Sequence, residues 1–321
     1  MNKLSKVFVA GHLGMVGSAI MRNLIDNGYE NIITATRGEL DLTIQSRVIK
    51  FFRATRPDVV IDCAAKVGGI HANNTYRADF IYNNLQIQNN LIHSSYEFEV
   101  EKLLFLGSSC IYPKFADQPI KEEYLLASPL EATNEPYAVS KIAGIKMCES
   151  YHKQYDCDFI SVMPCNQYGP NDNFHPKNSH VLPALLRRFH EAKKNEEENV
   201  EVWGTGKAKR EFLHVDDLAD ACVFLLENVN SSKVYEKNIS HLNIGSGEEI
   251  SIANLAKLIA EVVGYNGRIS FQLDKPDGTL RKLMDVSRIK KLGWEPKISL
   301  KQGLTETYRW YVKNESDIRS F

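Results

Sequence analysis

The sequence carries no surplus charge of either sign: 39 Lys and Arg stand against 40 Asp and Glu, a formal net charge of −1. That balance excludes the basic excess of a dedicated nucleic-acid binder and the net charge of a disordered acidic chain. Long apolar runs are also missing. None approaches the roughly 20 residues needed to span a bilayer, so neither nucleic acid nor membrane is an expected partner. Met1-Asn2-Lys3-Leu4-Ser5-Lys6 leads straight into an apolar strand without the layout of a signal peptide, and the cytoplasm is the expected location. Cysteine is sparse and scattered (Cys63, Cys110, Cys148, Cys157, Cys165 and Cys222), with no C-x-x-C pair. Such spacing argues for reduced thiols and against a disulfide framework, and no metal is expected. Most of these thiols should pack as small hydrophobes. Repeats and low-complexity segments are absent as well. What remains is ordinary globular material, 43% hydrophobic and 25% charged over 321 residues, enough for one large domain and a smaller part.

Short β-branched runs alternate with helical patterns through the first half. Lys6–Ala10, Ile32–Thr36, Asp58–Ala65, Leu103–Ser108 and Phe159–Met163 read as strands. Met15–Asn27, Val48–Ala54, Arg77–Phe98 and Tyr137–Tyr155 read as helices between them. This rhythm predicts βαβ units and a parallel sheet with helices on both faces. Beyond about residue 170 the rhythm loosens. Lys193–Asn199 reads as a solvated helix end and loop, Val200–Trp203 and His241–Ile244 as strands, and Val215–Leu226 and Ile252–Val263 as amphipathic helices.

Gly11-His12-Leu13-Gly14-Met15-Val16-Gly17 directly follows the first strand and opens the first helix. Glycines there permit a tight turn and close approach of a pyrophosphate, and the helix N-terminus supplies N–H donors. The spacing is G-x-x-G-x-x-G, so the position carries the signal more than the motif does. The fold expected is α/β, a Rossmann-type doubly wound parallel sheet with a smaller, mixed α/β C-terminal part. Residues 1–170 are expected to hold the dinucleotide and the catalytic groups. Residues 171–321 are expected to hold the substrate, interleaved with late elements of the sheet. After the second strand comes Ala35-Thr36-Arg37, and a guanidinium suits the extra phosphate of NADPH. Glu39 leaves room for NADH.

Tyr137 and Lys141, four residues apart on a helix, project from one face. An ammonium beside a phenol favours the phenolate, making the tyrosine a usable proton donor. Tyr-x-x-x-Lys alone is common. Ser108 lends it weight, because it lies at the carboxyl end of the fourth strand, where open α/β sheets bind ligands. If the chain stays extended beyond Ser108, Cys110 points to the same side.

The glycine turn, Ser108 and Tyr137/Lys141 together resemble the short-chain dehydrogenase/reductase superfamily, in its extended branch that modifies nucleotide sugars. The resemblance covers essentially the whole chain. Further stretches narrow it: Ala64-Ala65-Lys66-Val67-Gly68-Gly69-Ile70, Leu106-Gly107-Ser108-Ser109-Cys110-Ile111-Tyr112-Pro113 and Arg210-Glu211-Phe212-Leu213-His214-Val215-Asp216-Asp217. They are similar to enzymes that epimerise GDP-4-keto-6-deoxy-D-mannose at C3 and C5 and then reduce C4 with NADPH, giving GDP-L-fucose. That similarity implies Cys110 as base, His180 as acid, Tyr137 as proton donor, and Lys141 and Ser108 beside it. It implies cofactor contacts from Gly11, His12, Leu13, Gly14, Met15, Val16, Gly17, Arg37, Asp41, Leu42, Ala64, Lys141, Pro164, Asn166 and His180. For the GDP-sugar it implies Arg188, Trp203, Arg210, Asp277 and Lys282. A homodimer built from the Arg77–Phe98 and Tyr137–Tyr155 helices is expected on the same ground. The chain departs from the family pattern at Leu13, where arginine is frequent, at Cys165 and Gln167, and at Leu280. These departures keep a related GDP-4-keto sugar as the alternative substrate.

Overall fold

The computed structural model describes residues 1–176, 179–236, 239–275 and 277–317. The strands β1 (Val7–Ala10), β2 (Ile32–Ile33), β3 (Val59–Asp62), β4 (Lys102–Leu106) and β5 (Phe159–Pro164) come in that order along the chain. They alternate with α1 (Met15–Asp26), α2 (Gln45–Thr55), α3 (Ile70–Thr75), α4 (Arg77–Glu97) and α5 (Glu135–Tyr155). Later elements are β6 (Asn166–Tyr168), α6 (Val181–Lys194), β7 (Asn199–Trp203), β8 (Lys209–His214), α7 (Val215–Asn228), α8 (Ser231–Val234) and β9 (Leu242–Ile244). The chain continues through β10 (Glu249–Ser251), α9 (Ile252–Val263), β11 (Arg268–Gln272), β12 (Arg281–Lys282), α10 (Ser287–Lys291) and α11 (Leu300–Lys313).

The main sheet has the order β2-β1-β3-β4-β5-β9, and every pairing in it is parallel. This is the α/β architecture expected. β1 is followed outward by β2, whereas β3 lies on its other side, so the order reverses between β1 and β3. A crevice opens at the carboxyl ends of strands at such a reversal. Strands β1, β3 and β5 are buried along their whole length, as apolar strands covered on both faces must be. α1 packs against α7, and α4 against both α2 and α5.

The strand expected over Ile32–Thr36 is only two residues long. Thr36 ends it, because its N–H and hydroxyl both donate to the Glu39 carboxylate, each at 2.8 Å, folding the chain into a turn. The Leu103–Ser108 strand likewise stops at Leu106. Ser108 becomes the cap of a 3-10 turn, Ser109–Ile111, its Oγ accepting from the Cys110 N–H at 3.5 Å.

A second apolar core gathers α6, α9 and α11 around β7, with Phe174, Phe189 and Leu255 inside it. α7, β9 and α10 instead pack into the core of the main sheet. Above the crevice, β8 is flanked by antiparallel β10 and parallel β12, and pairs with β6.

Candidate active site

The glycine turn sits at the strand-order reversal. Gly11 adopts φ +80°, and a Cβ on it would lie 2.9 Å from the Ala64 N atom. A Cβ on Gly17 would fall 2.2 Å from the Gly11 oxygen, so both positions exclude any side chain. Gly14 is different: a Cβ there would meet that same oxygen at 3.3 Å, and it stands as the N-cap of α1 with no side-chain acceptor on the cap. The helix therefore presents its N-terminal donors toward open space, the form a diphosphate needs. His12, Leu13, Met15 and Val16 complete the turn, with Leu13 exposed.

Arg37 is exposed just past β2, while Glu39 is committed to the Thr36 turn. One oxygen of the Glu39 carboxylate is held by Thr36, and the exposed Arg37 guanidinium offers a charge that suits the extra phosphate of NADP. Asp41 accepts from Thr43 N–H and Oγ1 at 3.0 and 2.7 Å, and the Leu42 carbonyl accepts from Asn90 at 2.8 Å. Pro164 ends β5, and Asn166 in β6 donates to the Glu211 carbonyl at 2.8 Å. Both lie at the carboxyl side of the sheet.

Tyr137 and Lys141 lie on one face of α5, as their spacing predicts. The Ser108 side chain lies on the same side and favours the Tyr137 phenolate. Lys141 is 3% exposed, and its ammonium donates to the Leu106 carbonyl at 2.9 Å and lies 4.7 Å from the Phe105 ring centroid. Here one expectation is corrected. Burial and the neighbouring Cys110 thiol raise the Tyr137 pKa, with only Ser108 opposing. The Lys141 ammonium is engaged at Leu106, and its own acidity is increased by burial against the opposing pull of Asp62 and Cys110.

Cys110 does reach Ser108, but not by strand alternation. The 3-10 turn curls the chain back, and the Cys110 backbone N–H donates to Ser108 Oγ at 3.5 Å. Burial pushes this thiol up, opposed first by the Lys282 ammonium, then by Ser108 and Lys141. A net depression by a nearby cation, which the chemistry of a basic thiol requires, is therefore not the resting condition. His180 is the N-cap of α6 and is reached by solvent, while the surrounding protein and Lys282 lower its pKa. Asn178, expected just ahead of this helix, lies outside the described residues. The Lys282 ammonium thus acts electrostatically on both Cys110 and His180.

On the substrate side, Lys282 in β12 is the register partner of Arg210 in β8. Arg188 stands over Trp203, 5.9 Å from guanidinium to ring centroid, and donates to the Glu201 carbonyl at 2.5 Å. Trp203 is 61% exposed, so it is not a core residue. Arg187, by contrast, is tied to Glu191 at 2.6 Å and to the Phe174 carbonyl at 3.1 Å. Asp277 accepts from Thr205 N–H and Oγ1, both at 2.7 Å, and its charge faces Arg210. Its oxygens keep further lone pairs for a ligand. The five predicted positions thus fall into two groups, Arg188 with Trp203 and Arg210 with Lys282 and Asp277.

The profile of the NAD dependent epimerase/dehydratase family matches residues 7–245. This chain belongs to that family. It is 62% identical over 313 residues to GDP-L-fucose synthase 1 of Arabidopsis thaliana, an alignment covering 98% of this chain and 95% of the relative. It is 55% identical to the GDP-L-fucose synthase of Escherichia coli (strain K12), covering 98% of each. Among solved structures, a GDP-mannoheptose C4 reductase from Campylobacter jejuni with NADP bound superposes with a TM-score of 0.89 at 42% identity, over 97% of this chain and 99% of that one. The resemblance read from the motifs is borne out, and the chain is an enzyme of the NAD dependent epimerase/dehydratase family. Among the described residues no helix is long and apolar enough to cross a membrane, and no metal-ligand cluster is found.

Two buried carboxylates at this epimerase-family site escaped the sequence reading. Glu211, fully buried inside the Arg210–Asp217 signature, accepts from the Gly247 N–H at 2.8 Å and the Met284 N–H at 2.9 Å. It thereby fastens the segment that carries Lys282 to the strand that carries Arg210. Asp62, at the end of β3, is 1% exposed. Both sit inside strand-like runs, where an acidic residue gives no periodic signal. The only hint was that an acidic residue in a fully buried strand demands a partner.

Proposed function

We propose that the enzyme converts GDP-4-keto-6-deoxy-D-mannose to GDP-L-fucose, epimerising C3 and C5 and then reducing the C4 ketone with NADPH. The observation that carries this reading is the register pairing of Arg210 with Lys282, two cations side by side next to Cys110 and His180. Like charges directly opposite on paired strands are unfavourable. A ligand diphosphate bridging them removes that cost, and it sets the attached sugar against Cys110, Ser108 and Tyr137. Arg188 and Trp203 offer a cation and an exposed ring for the remainder of the nucleotide, and Asp277 an acceptor for its donors.

The C4 carbonyl acidifies the protons on C3 and C5. At C3 and then at C5 the Cys110 thiolate removes the proton and protonated His180 delivers one to the opposite face; between the two inversions the Cys110 thiol loses its proton to solvent and His180 takes one up. The Lys282 ammonium favours the thiolate, and substrate binding places the base beside the carbon it serves. In the second step Ser108 holds the C4 oxygen and Tyr137 delivers a proton to it, with Lys141 behind. NADPH, held by the Gly11–Gly17 turn, Arg37, Asp41, Leu42, Ala64, Lys141, Pro164, Asn166 and His180, supplies the hydride when bound.

Proton exchange tests the reading. In D₂O the enzyme is expected to label C3 and C5 of the 4-keto sugar before any NADPH is added; label at neither carbon overturns it. A second reading, reduction at C4 of a related GDP-keto sugar without both inversions, is favoured by the likeness to the mannoheptose C4 reductase. It predicts NADPH oxidation with no label at one or both carbons. A cytoplasmic location belongs to the same reading; among the described residues no helix is long and apolar enough to cross a membrane. Exposed Tyr82, Val139 and Tyr155 on α4 and α5 support pairing of these helices in a homodimer.

A further inference from the structure

Asp62 carries a carboxylate that the reaction as written does not use. Its Oδ1 accepts from the Ala64 N–H at 3.1 Å, while Oδ2 has no partner among the described residues. A buried anion left half-satisfied is costly unless a cation stands near it. The sheet register supplies one. Asp62 of β3 is paired with Phe105 of β4, and paired residues of neighbouring strands present their side chains to the same face. That face is the one covered by α5: a Cβ on Gly144 would lie 2.4 Å from the Phe105 ring, and the Lys141 ammonium stands 4.7 Å from its centroid. The carboxylate and the ammonium therefore flank the same ring in a space closed to water. The other titratable groups facing the pair are Cys63 beside Asp62, Cys148 on α5 and Cys110 after β4.

We propose that Asp62 is the buried counter-charge of Lys141, a positioning residue that keeps the ammonium charged while Tyr137 delivers its proton. The proposal rests on the reading of Tyr137 and Lys141 as the reductive pair. A fixed negative charge makes a neighbouring acid harder to deprotonate, so Asp62 holds Lys141 in its protonated, reducing-competent form to higher pH. Burial pushes Asp62 itself up to about 6, so this effect operates only above that pH.

The test is the pH profile of kcat for reduction of the pre-epimerised keto sugar by Asp62→Asn, with Asp62→Leu standing in if the first does not fold. The alkaline limb is expected to move down by about one pH unit or more, with the profiles meeting below about pH 6. A profile that superimposes on the wild type overturns the proposal. Stability supplies a readout free of activity. Lys141→Met should cost more stability in the wild-type background than in the Asp62→Asn background, because only the former strands a buried anion; equal costs overturn the pairing. A wild-type chain that never reduces the keto sugar removes the reading beneath the proposal, and the proposal with it.

Discussion

Glu211→Gln separates what a buried carboxylate costs from what it positions. Burial outweighs the Met284, Gly247 and Ser246 N–H donors and raises Glu211 from an ordinary 4.5 to about 7. A carboxyl raised in the folded state stabilises below its unfolded pKa, and that stability is lost as pH rises through the folded value. The window is therefore about pH 4.5 to 7, and the loss across it is about 3 kcal/mol at 1.36 kcal/mol per pH unit. Glutamine mimics the protonated acid and escapes this loss. For 321 residues the unfolding entropy is about 0.7 kcal/mol/K, so about 3 kcal/mol corresponds to about 4 °C. Differential scanning calorimetry should then find the melting temperature of the variant, measured against wild type, moving up by about 4 °C between pH 5 and pH 8, on top of the pH-independent cost of setting an amide N–H₂ against a backbone donor. Function should move the other way. Glutamine presents an amide N–H₂ to one backbone donor, and Lys282 loses the negative charge that favours its ammonium. The KM for the GDP-sugar is expected to rise several-fold, with kcat for a saturating substrate less affected. A melting difference that does not change with pH, or an unchanged KM, would refute this account of Glu211.

Three further outcomes follow from the same geometry. Cys110→Ser should abolish solvent-deuterium exchange at C3 and C5 by about 10³-fold or more while sparing reduction of a pre-epimerised keto sugar; unchanged exchange removes the thiol from the mechanism. Lys282→Met removes the cation that opposes the burial-raised Cys110 pKa and lowers the His180 pKa. Both groups should then lose protons at higher pH, so the exchange profile shifts upward; a downward shift or none contradicts the placement of Lys282. Arg37→Ala should raise the KM for NADPH by about 10-fold or more with little change for NADH, since the phosphate contact is charge-assisted. Equal effects on both cofactors would deny Arg37 that role.

The sheet was legible in the sequence because its strands are buried on both faces and its helices are long. The glycine turn was legible for a related reason: Gly11 and Gly17 answer to steric limits that no other residue meets. Local hydrogen bonding was harder to read. Thr36 and Glu39 cut β2 short, and the Ser108 cap bent the chain that carries Cys110, both against the apolar pattern around them. The pairing of β8 with β12 was hidden for another reason. It joins Arg210 to Lys282 across a long stretch of chain, and no local spacing encodes such a register. Asp62 and Glu211 were invisible because a buried acid in a strand becomes meaningful only when its partner on another element is known.

The central claim is that one site performs two inversions and one reduction on a GDP-linked 4-keto sugar. Incubation with GDP-4-keto-6-deoxy-D-mannose and NADPH in D₂O, with the product identified by NMR, tests it directly. The account predicts GDP-L-fucose carrying deuterium at C3 and C5. A C4-reduced GDP-sugar that keeps the original configuration and protons at either carbon would contradict it.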